Sequence, residues 1–268
     1  MIPRVIHYCW FGGNALPDEA VQCIKSWKQF CPTYEIKEWN ENNFDIFSNT
    51  YTSEAYDAKK WAFVSDYVRL KVLNDYGGFY MDTDVEILKP LDILRQYDAF
   101  SGFESNDSIP TGIIGACAHN EWISYLLEYY KDKHFLVNGQ FDLTTNVQTI
   151  TRMTAEKYSV QLNNKMQYFG NNMILFPFDY LCAKDFKTGE LKITTNTITV
   201  HRFAGSWIPD DIRAYSCLVK KYYSATDDIS CPKAIRLNYA KLKAAYQLGG
   251  NGEIIKKLLF MLKRNMRL

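Results

Sequence analysis

At 268 residues the chain can bury a full core and sits near the roughly 250–300 residues at which single cores begin to split, so one main domain with a small appendage is expected. Hydrophobic residues at 47% and charged residues at 23% exclude a disordered chain, and a formal charge of +1 from 31 basic and 30 acidic residues excludes recruitment of nucleic acid by a global field. No stretch approaches the roughly 20 apolar residues that a membrane-spanning helix needs.

Val5 to Trp10 reads as a short buried strand stopping at Gly12-Gly13, a pair that lets backbone approach a ligand. Pro17-Asp18-Glu19 suits a helix start, and Ala20, Cys23, Ile24, Trp27 and Phe30 recur at helical spacing until Cys31-Pro32 ends it. Tyr34 to Trp39 alternates as a second strand. Lys59 to Tyr76 is the clearest helix, with an apolar stripe through Phe63, Tyr67, Leu70 and Leu73 and a stop at Gly77-Gly78. Phe79, Tyr80 and Met81 then enter Asp82-Thr83-Asp84 as a strand, and Val85 to Leu88 is expected to continue it until Pro90.

Strands separated by helices predict an α/β domain with a mostly parallel sheet, a class that binds ligands at the carboxyl ends of its strands. Later, Glu121 to Tyr130 and Asn146 to Tyr158 read as helices separated by a polar loop around Gly139. Ile174 to Phe178 and Thr197 to Val200 read as strands, the second delivering His201 and Trp207 near its end. In the tail, Lys256, Lys257, Lys263, Arg264 and Arg267 outnumber Glu253, while Ile254, Ile255, Leu258, Leu259 and Leu262 form an apolar face. That pattern predicts a basic amphipathic helix, either docked on its own domain or lying on an anionic membrane. Seven cysteines without a C-x-x-C pair, and an opening Met1-Ile2-Pro3-Arg4 without an apolar signal segment, predict the reducing cytoplasm.

Asp82 and Asp84, one residue apart at a strand end, hold two carboxylates so close that they repel unless a cation lies between them. Oxygen ligands favour Mg²⁺ or Mn²⁺, ions that commonly share their coordination with substrate phosphates. A calcium loop is excluded because its obligatory sixth-position glycine is Ile87, and the Asp-x-Asp-x-Thr/Val phosphatase pattern fails at Glu86. Upstream, Asp66 and Arg69 are three apart and lie on one helix face. They form an intrahelical ion pair or point into the same cleft, Asp66 accepting from sugar hydroxyls and Arg69 holding a sugar or phosphate oxygen.

Trp61-Ala-Phe-Val-Ser-Asp66-Tyr-Val-Arg69-Leu followed by Tyr76-Gly-Gly-Phe-Tyr80-Met-Asp82-Thr-Asp84 resembles the core motif of the family 32 glycosyltransferases, the DXD sugar-binding-motif enzymes. The opening Ile2-Pro3-Arg4-Val-Ile-His7-Tyr-Cys9-Trp10-Phe-Gly12-Gly13 is similar to the start of bacterial capsular and surface-polysaccharide members, and His201-Arg-Phe-Ala-Gly-Ser206-Trp207 to a late His/Ser-Trp element. The same core is related to the glucosylating domains of the large clostridial toxins. The resemblance implies a GT-A fold, with a Rossmann-like mixed sheet flanked by helices and a helical C-terminal extension. It implies a catalytic domain over 1–230, an appendage over 231–268 and a peripheral cytoplasmic setting at the inner face of the plasma membrane.

By the same resemblance the donor is a nucleotide sugar, a UDP-hexose, used with Mn²⁺ or Mg²⁺ and with retention of configuration. The acceptor is a saccharide or lipid-linked oligosaccharide of a bacterial surface polysaccharide. Trp10 would stack on the donor base with the Cys9 backbone at its edge, and Tyr80 would line the sugar pocket beside Asp66 and Arg69. Asp82 would contact ribose and the metal's water shell, Asp84 would be the direct ligand, and His201 a further metal or diphosphate contact. Ser206 and Trp207 would belong to a segment closing over the diphosphate. Two rival classes remain open: a metal-dependent nucleotide-sugar hydrolase, and a noncatalytic sugar-binding protein.

Overall fold

The structure, a computed structural model, describes residues 1–110, 112–205, 210–226 and 231–248. They fall into two compact units, one drawn from within residues 1–184 and 192–205, the other from within residues 185–191 and 210–248. The predicted basic tail therefore lies outside the described residues.

In chain order the first unit contains β1 (Val5–Cys9), α1 (Asp18–Phe30), β2 (Glu35–Trp39), α2 (Thr50–Asp57), α3 (Trp61–Tyr76), β3 (Gly78–Met81), β4 (Val85–Ile87), β5 (Ala99–Gly102) and β6 (Ile113–Ala116). It continues with α4 (Glu121–Glu128), β7 (Leu136–Val137), β8 (Gln140–Phe141), α5 (Asn146–Tyr158), β9 (Gln167–Phe169), β10 (Met173–Phe176), α6 (Phe178–Leu181) and β11 (Thr199–His201). Seven strands form the main sheet in the order β2-β1-β3-β6-β5-β10-β9. β6 and β9 run antiparallel to their neighbours while β2, β1 and β3 are parallel, as are β5 and β10. This mixed, mostly parallel sheet flanked by helices is the expected α/β architecture of GT-A type. In the second unit α7 (Asp210–Ser224) and α8 (Lys233–Gln247) pack around Val219, Tyr223, Ala240 and Ala244.

Two expectations change. The strand through Asp82 does not run on to Leu88: Val85–Ile87 leaves the main sheet and pairs antiparallel with Thr199–His201 in a separate two-stranded sheet. The polar loop around Gly139 is instead a tight hairpin, β7 to β8, turning on Asn138 and Gly139, both at positive φ as a type I′ turn requires.

The site is positioned by α3 and the turn after it. The helix is surrounded by α2, α4 and the strands β1, β3 and β6, so Val64, Val68 and Val72 are buried as fully as the stripe Phe63, Tyr67, Leu70 and Leu73. Gly77 and Gly78, at φ 64° and 108°, end it where a Cβ would come within 2.6 Å of the Ala118 nitrogen and 2.7 Å of the Val5 oxygen.

His7 locks this turn from β1. Trp39 donates to its Nδ1 at 3.1 Å, which leaves Nε2–H to donate to the Gly77 carbonyl at 2.8 Å. The imidazole is thereby fully satisfied as a neutral ring, and burial lowers its pKa from 6.5 to about 4. Since the folded value lies below the unfolded one, the unfolded chain binds the extra proton between these pH values and stability falls as the solution is acidified. Urea unfolding is expected to show wild type losing about 3 kcal/mol more than His7→Gln between pH 7 and pH 4. Equal losses would remove His7 from the turn's energetics.

Candidate active site

The acidic turn lies where the chain leaves one sheet for the other. The Asp82 amide donates to the Gly112 carbonyl at 2.8 Å, the last rung against the strand beside it, and the Val85 amide donates to the Asp82 carbonyl at 3.0 Å, closing the turn. β4 then pairs with β11 so that His201 lies opposite Val85. The Arg202 amide donates to the Asp84 carbonyl and the Ala204 amide to Asp84 Oδ2, each at 2.8 Å, while His201 Nε2 is 3.3 Å from Asp84 Oδ1. One ligand atom each from Asp82, Asp84 and His201 falls within 4.8 Å of the others.

Two carboxylates and an imidazole at that separation suit a divalent cation bound at about 2.0–2.2 Å by each ligand. The residues therefore fit Mn²⁺ or Mg²⁺. Burial would raise the Asp84 pKa, but the His201 charge and the Ala204 amide outweigh it and hold the carboxyl at about 2. Burial would likewise lower the His201 pKa, and Asp84 reverses this and raises it well above its ordinary range, so the ring carries a proton that a bound cation would displace. His201 is boxed in by the Phe203 ring at 4.0 Å and by Gly112, where a Cβ would lie 2.9 Å from ring atoms. Gly112→Ala is expected to push the imidazole off Asp84 and weaken Mn²⁺ binding roughly tenfold or more, as read by calorimetric titration. Unchanged affinity would show that His201 is not a ligand.

A second cluster shares Asp82. Arg69 reaches back to Asp66 at 3.1 Å and across to Asp82 at 3.3 Å, its Nε donates to the Ser65 carbonyl at 3.1 Å, and its guanidinium lies over the Tyr80 ring at 4.6 Å. Tyr80 donates its hydroxyl to Asp82 Oδ1 at 3.0 Å. Asp66 and Arg69 thus form the intrahelical pair, which Arg69 extends to Asp82. Burial raises the Asp66 pKa to about 7 against the opposing pull of Arg69. Burial disfavours the Arg69 charge, but Asp82, Tyr80 and Asp66 together raise its pKa.

The predicted residues Asp66, Arg69, Tyr80, Asp82, Asp84 and His201 are therefore brought into one connected centre. The Cys9 thiol lies beneath it, interacting with Arg69 and Tyr80 and pushed up to about 12 chiefly by burial, so it is inert at neutral pH. Tyr80 is only 1% exposed, so it supports Arg69 with its ring and Asp82 with its hydroxyl and does not line a sugar pocket. Trp10, half-buried on the opposite face of the strand end, donates its indole N–H to the Asn14 carbonyl at 2.6 Å. Ser206 and Trp207 lie outside the described residues.

Two residues escaped sequence reasoning. Glu104, just past β5, is held near pKa 7 by burial, with His201 and Asp82 the strongest charges acting on it. Asn146 belongs to no obvious motif, yet it is buried, lies near enough to Asp66 to pull its pKa down, and accepts from the Tyr130 hydroxyl at 3.4 Å. Neither has a local signal, because both reach the centre only through the fold.

Comparison with known proteins bears on this geometry. Residues 17–101 match the family described as "Glycosyltransferase sugar-binding region containing DXD motif". The chain is 31% identical over 122 residues, 42% of its length and 33% of the relative's, to inositol phosphoceramide mannosyltransferase 3 of Schizosaccharomyces pombe. It is 23% identical over 203 residues, 69% of its length and 55% of the relative's, to inositol phosphoceramide mannosyltransferase 2 of the same yeast. The chain thus spans a third to about half of the length of these relatives. Among solved structures, the PaToxG glycosyltransferase superposes with a TM-score of 0.44 at 15% identity, over 58% of this chain and 70% of that one. The matched segment 17–101 contains Asp66, Arg69, Tyr80, Asp82 and Asp84, the residues of the shared cluster, and stops short of Glu104 and His201.

Proposed function

We propose that the protein is a metal-dependent glycosyltransferase moving a hexose from a nucleotide-sugar donor to an acceptor hydroxyl, with retention of configuration. The observation that carries this reading is the sharing of Asp82 between a cation site and a buried Asp66–Arg69 clamp, within a segment matching a sugar-binding region. Asp84 and His201 would hold Mn²⁺ or Mg²⁺ directly, with Asp82 reaching both the ion's water shell and the donor ribose. The cation, when bound, supplies Lewis-acid neutralisation of the departing nucleoside diphosphate.

The chain's own groups do the rest. Arg69, fixed by three partners, presents a pre-oriented guanidinium to sugar or phosphate oxygens without reorganising during transfer. Asp66 accepts from a sugar hydroxyl, and Tyr80 positions Asp82 and Arg69. Trp10 and the Cys9 backbone at the end of β1 receive the base. Glu104, a carboxyl near pKa 7 by the same centre, is the group best matched to exchanging a proton with the acceptor hydroxyl near neutral pH.

For donor and acceptor the two lines of reasoning differ in detail. Motif resemblance favours a UDP-hexose and a bacterial surface polysaccharide; the fungal relatives are named for mannose and inositol phosphoceramide. Their common element is an acceptor hydroxyl carried on a lipid, and this chain is proposed to work on such an acceptor at the inner face of a membrane. Among the described residues no helix is long and apolar enough to cross a membrane.

The test is release of nucleoside diphosphate from a panel of UDP- and GDP-hexoses, with Mn²⁺, Mg²⁺ or chelator, with and without lipid-linked acceptor. Release from one donor that requires metal and is accelerated by acceptor supports the transferase. Release indifferent to every acceptor makes the protein a nucleotide-sugar hydrolase, and binding without release a sugar-binding protein.

A further inference from the structure

The hairpin β7–β8 exposes apolar side chains in a way that the catalytic reading does not use. Leu136, Val137 and Phe141 are 46%, 47% and 46% exposed, and Leu143 just beyond is 59% exposed. Cross-strand pairing sets Leu136 beside Phe141 on one face and Val137 beside Gln140 on the other. Apolar groups therefore stand on both faces of a two-stranded finger. A protein groove covers one face of such an element and leaves the other wet, whereas a lipid interface surrounds it.

Charge points the same way. From Leu136 to Phe141 the finger carries no ionisable side chain. At its base the charges are already paired: Lys133 with Asp142, and His134 with Glu54. Glu54 also accepts from the Phe135 and Leu136 amides at 2.7 and 2.8 Å, so α2 clamps the finger's root. Phe135 is wholly buried against Tyr51 and Phe63, three residues before Asp66 on α3. The finger is thus a stiff projection whose tip can leave water without stranding a charge.

We propose that residues 136–143 form a membrane-interfacial finger that dips into the headgroup–acyl boundary of a bilayer and sets the catalytic centre against it. The inference stands apart from the transferase reading, since lipid contact is measured without any substrate. Because the tip is uncharged, contact needs no anionic lipid.

Sedimentation of the full chain with sucrose-loaded vesicles tests this, using pure phosphatidylcholine and phosphatidylcholine with one quarter phosphatidylserine. Wild type is expected to bind both. V137D/F141D is expected to lower the partition coefficient roughly tenfold or more on each, and V137S/F141S to lower it on each without adding charge. Unchanged thermal melting would show both variants folded. Binding that needs phosphatidylserine and ignores the hairpin variants would overturn the proposal and move lipid contact to a basic segment elsewhere in the chain. Absence of vesicle binding would also overturn it, and a dimer in sedimentation velocity dissolved by V137S/F141S would identify a second copy as the occupant.

Discussion

Asp84→Asn is expected to lower metal-dependent donor turnover by roughly a thousandfold or more while leaving the protein folded. The amide keeps the carboxylate's shape and still offers an oxygen to the Ala204 amide, so the turn retains its hydrogen bond. What disappears is the negative charge facing His201 at 3.3 Å. The imidazole is buried, and without Asp84 the desolvation that Asp84 overrides returns, so the ring sheds its proton instead of remaining as an unpaired charge. A neutral ring tempers the loss of stability, whereas the remaining Asp82 and His201 make a poor site for a hard cation that favours oxygen. Calorimetric titration with Mn²⁺ in the absence of donor should show weakened binding, with a thermal midpoint close to wild type. Metal affinity and turnover both equal to wild type would show that Asp84 is not a ligand and that the acidic turn is structural.

Much of this centre was legible because its residues sit on local patterns. The helix ending at Gly77-Gly78, the short strand behind it and the paired aspartates follow one another within a segment, and each has its own signal in periodicity, glycine or charge. What those signals could not convey is what surrounds them. An apolar stripe predicts a helix with a wet side, but α3 is enclosed, so Asp66 and Arg69 satisfy each other and Asp82 in place of water. The extension of β3 through Val85 to Leu88 failed because the break depends on Gly112 and on Thr199–His201, far along the chain. Ala99–Gly102 and Ile113–Ala116 are four-residue strands rich in small residues, too short for alternation to show. The hairpin differs in kind: Asn138-Gly139 between Leu-Val and Gln-Phe carries a strong turn signal, but two-residue strands set among polar residues are too short for alternation to mark them.

Arg69→Met should abolish transfer and destabilise the protein by about 3 kcal/mol at pH 8, the cost of breaking a buried ion-pair network by removing its cation. The comparison with Asp84→Asn turns on which groups can discharge themselves. Asp66 already titrates near 7 with Arg69 beside it, and the Arg69 charge is what opposes burial there, so its removal drives the Asp66 pKa higher. The folded variant then binds a proton that the unfolded chain, with its carboxyl near 3.8, does not bind at neutral pH. Folded protein holding more protons means that stability falls as pH rises through the folded pKa. Urea unfolding should therefore show a smaller penalty at pH 6, where Asp66 is neutral, than at pH 8. Adding Asp66→Asn to Arg69→Met should flatten that pH dependence and recover part of the stability without restoring activity, because an asparagine is neutral at both pH values but no clamp remains for the donor. A penalty independent of pH, or a double variant no more stable than Arg69→Met at pH 8, would show that Asp66 is not the buried acid holding this helix to the acidic turn.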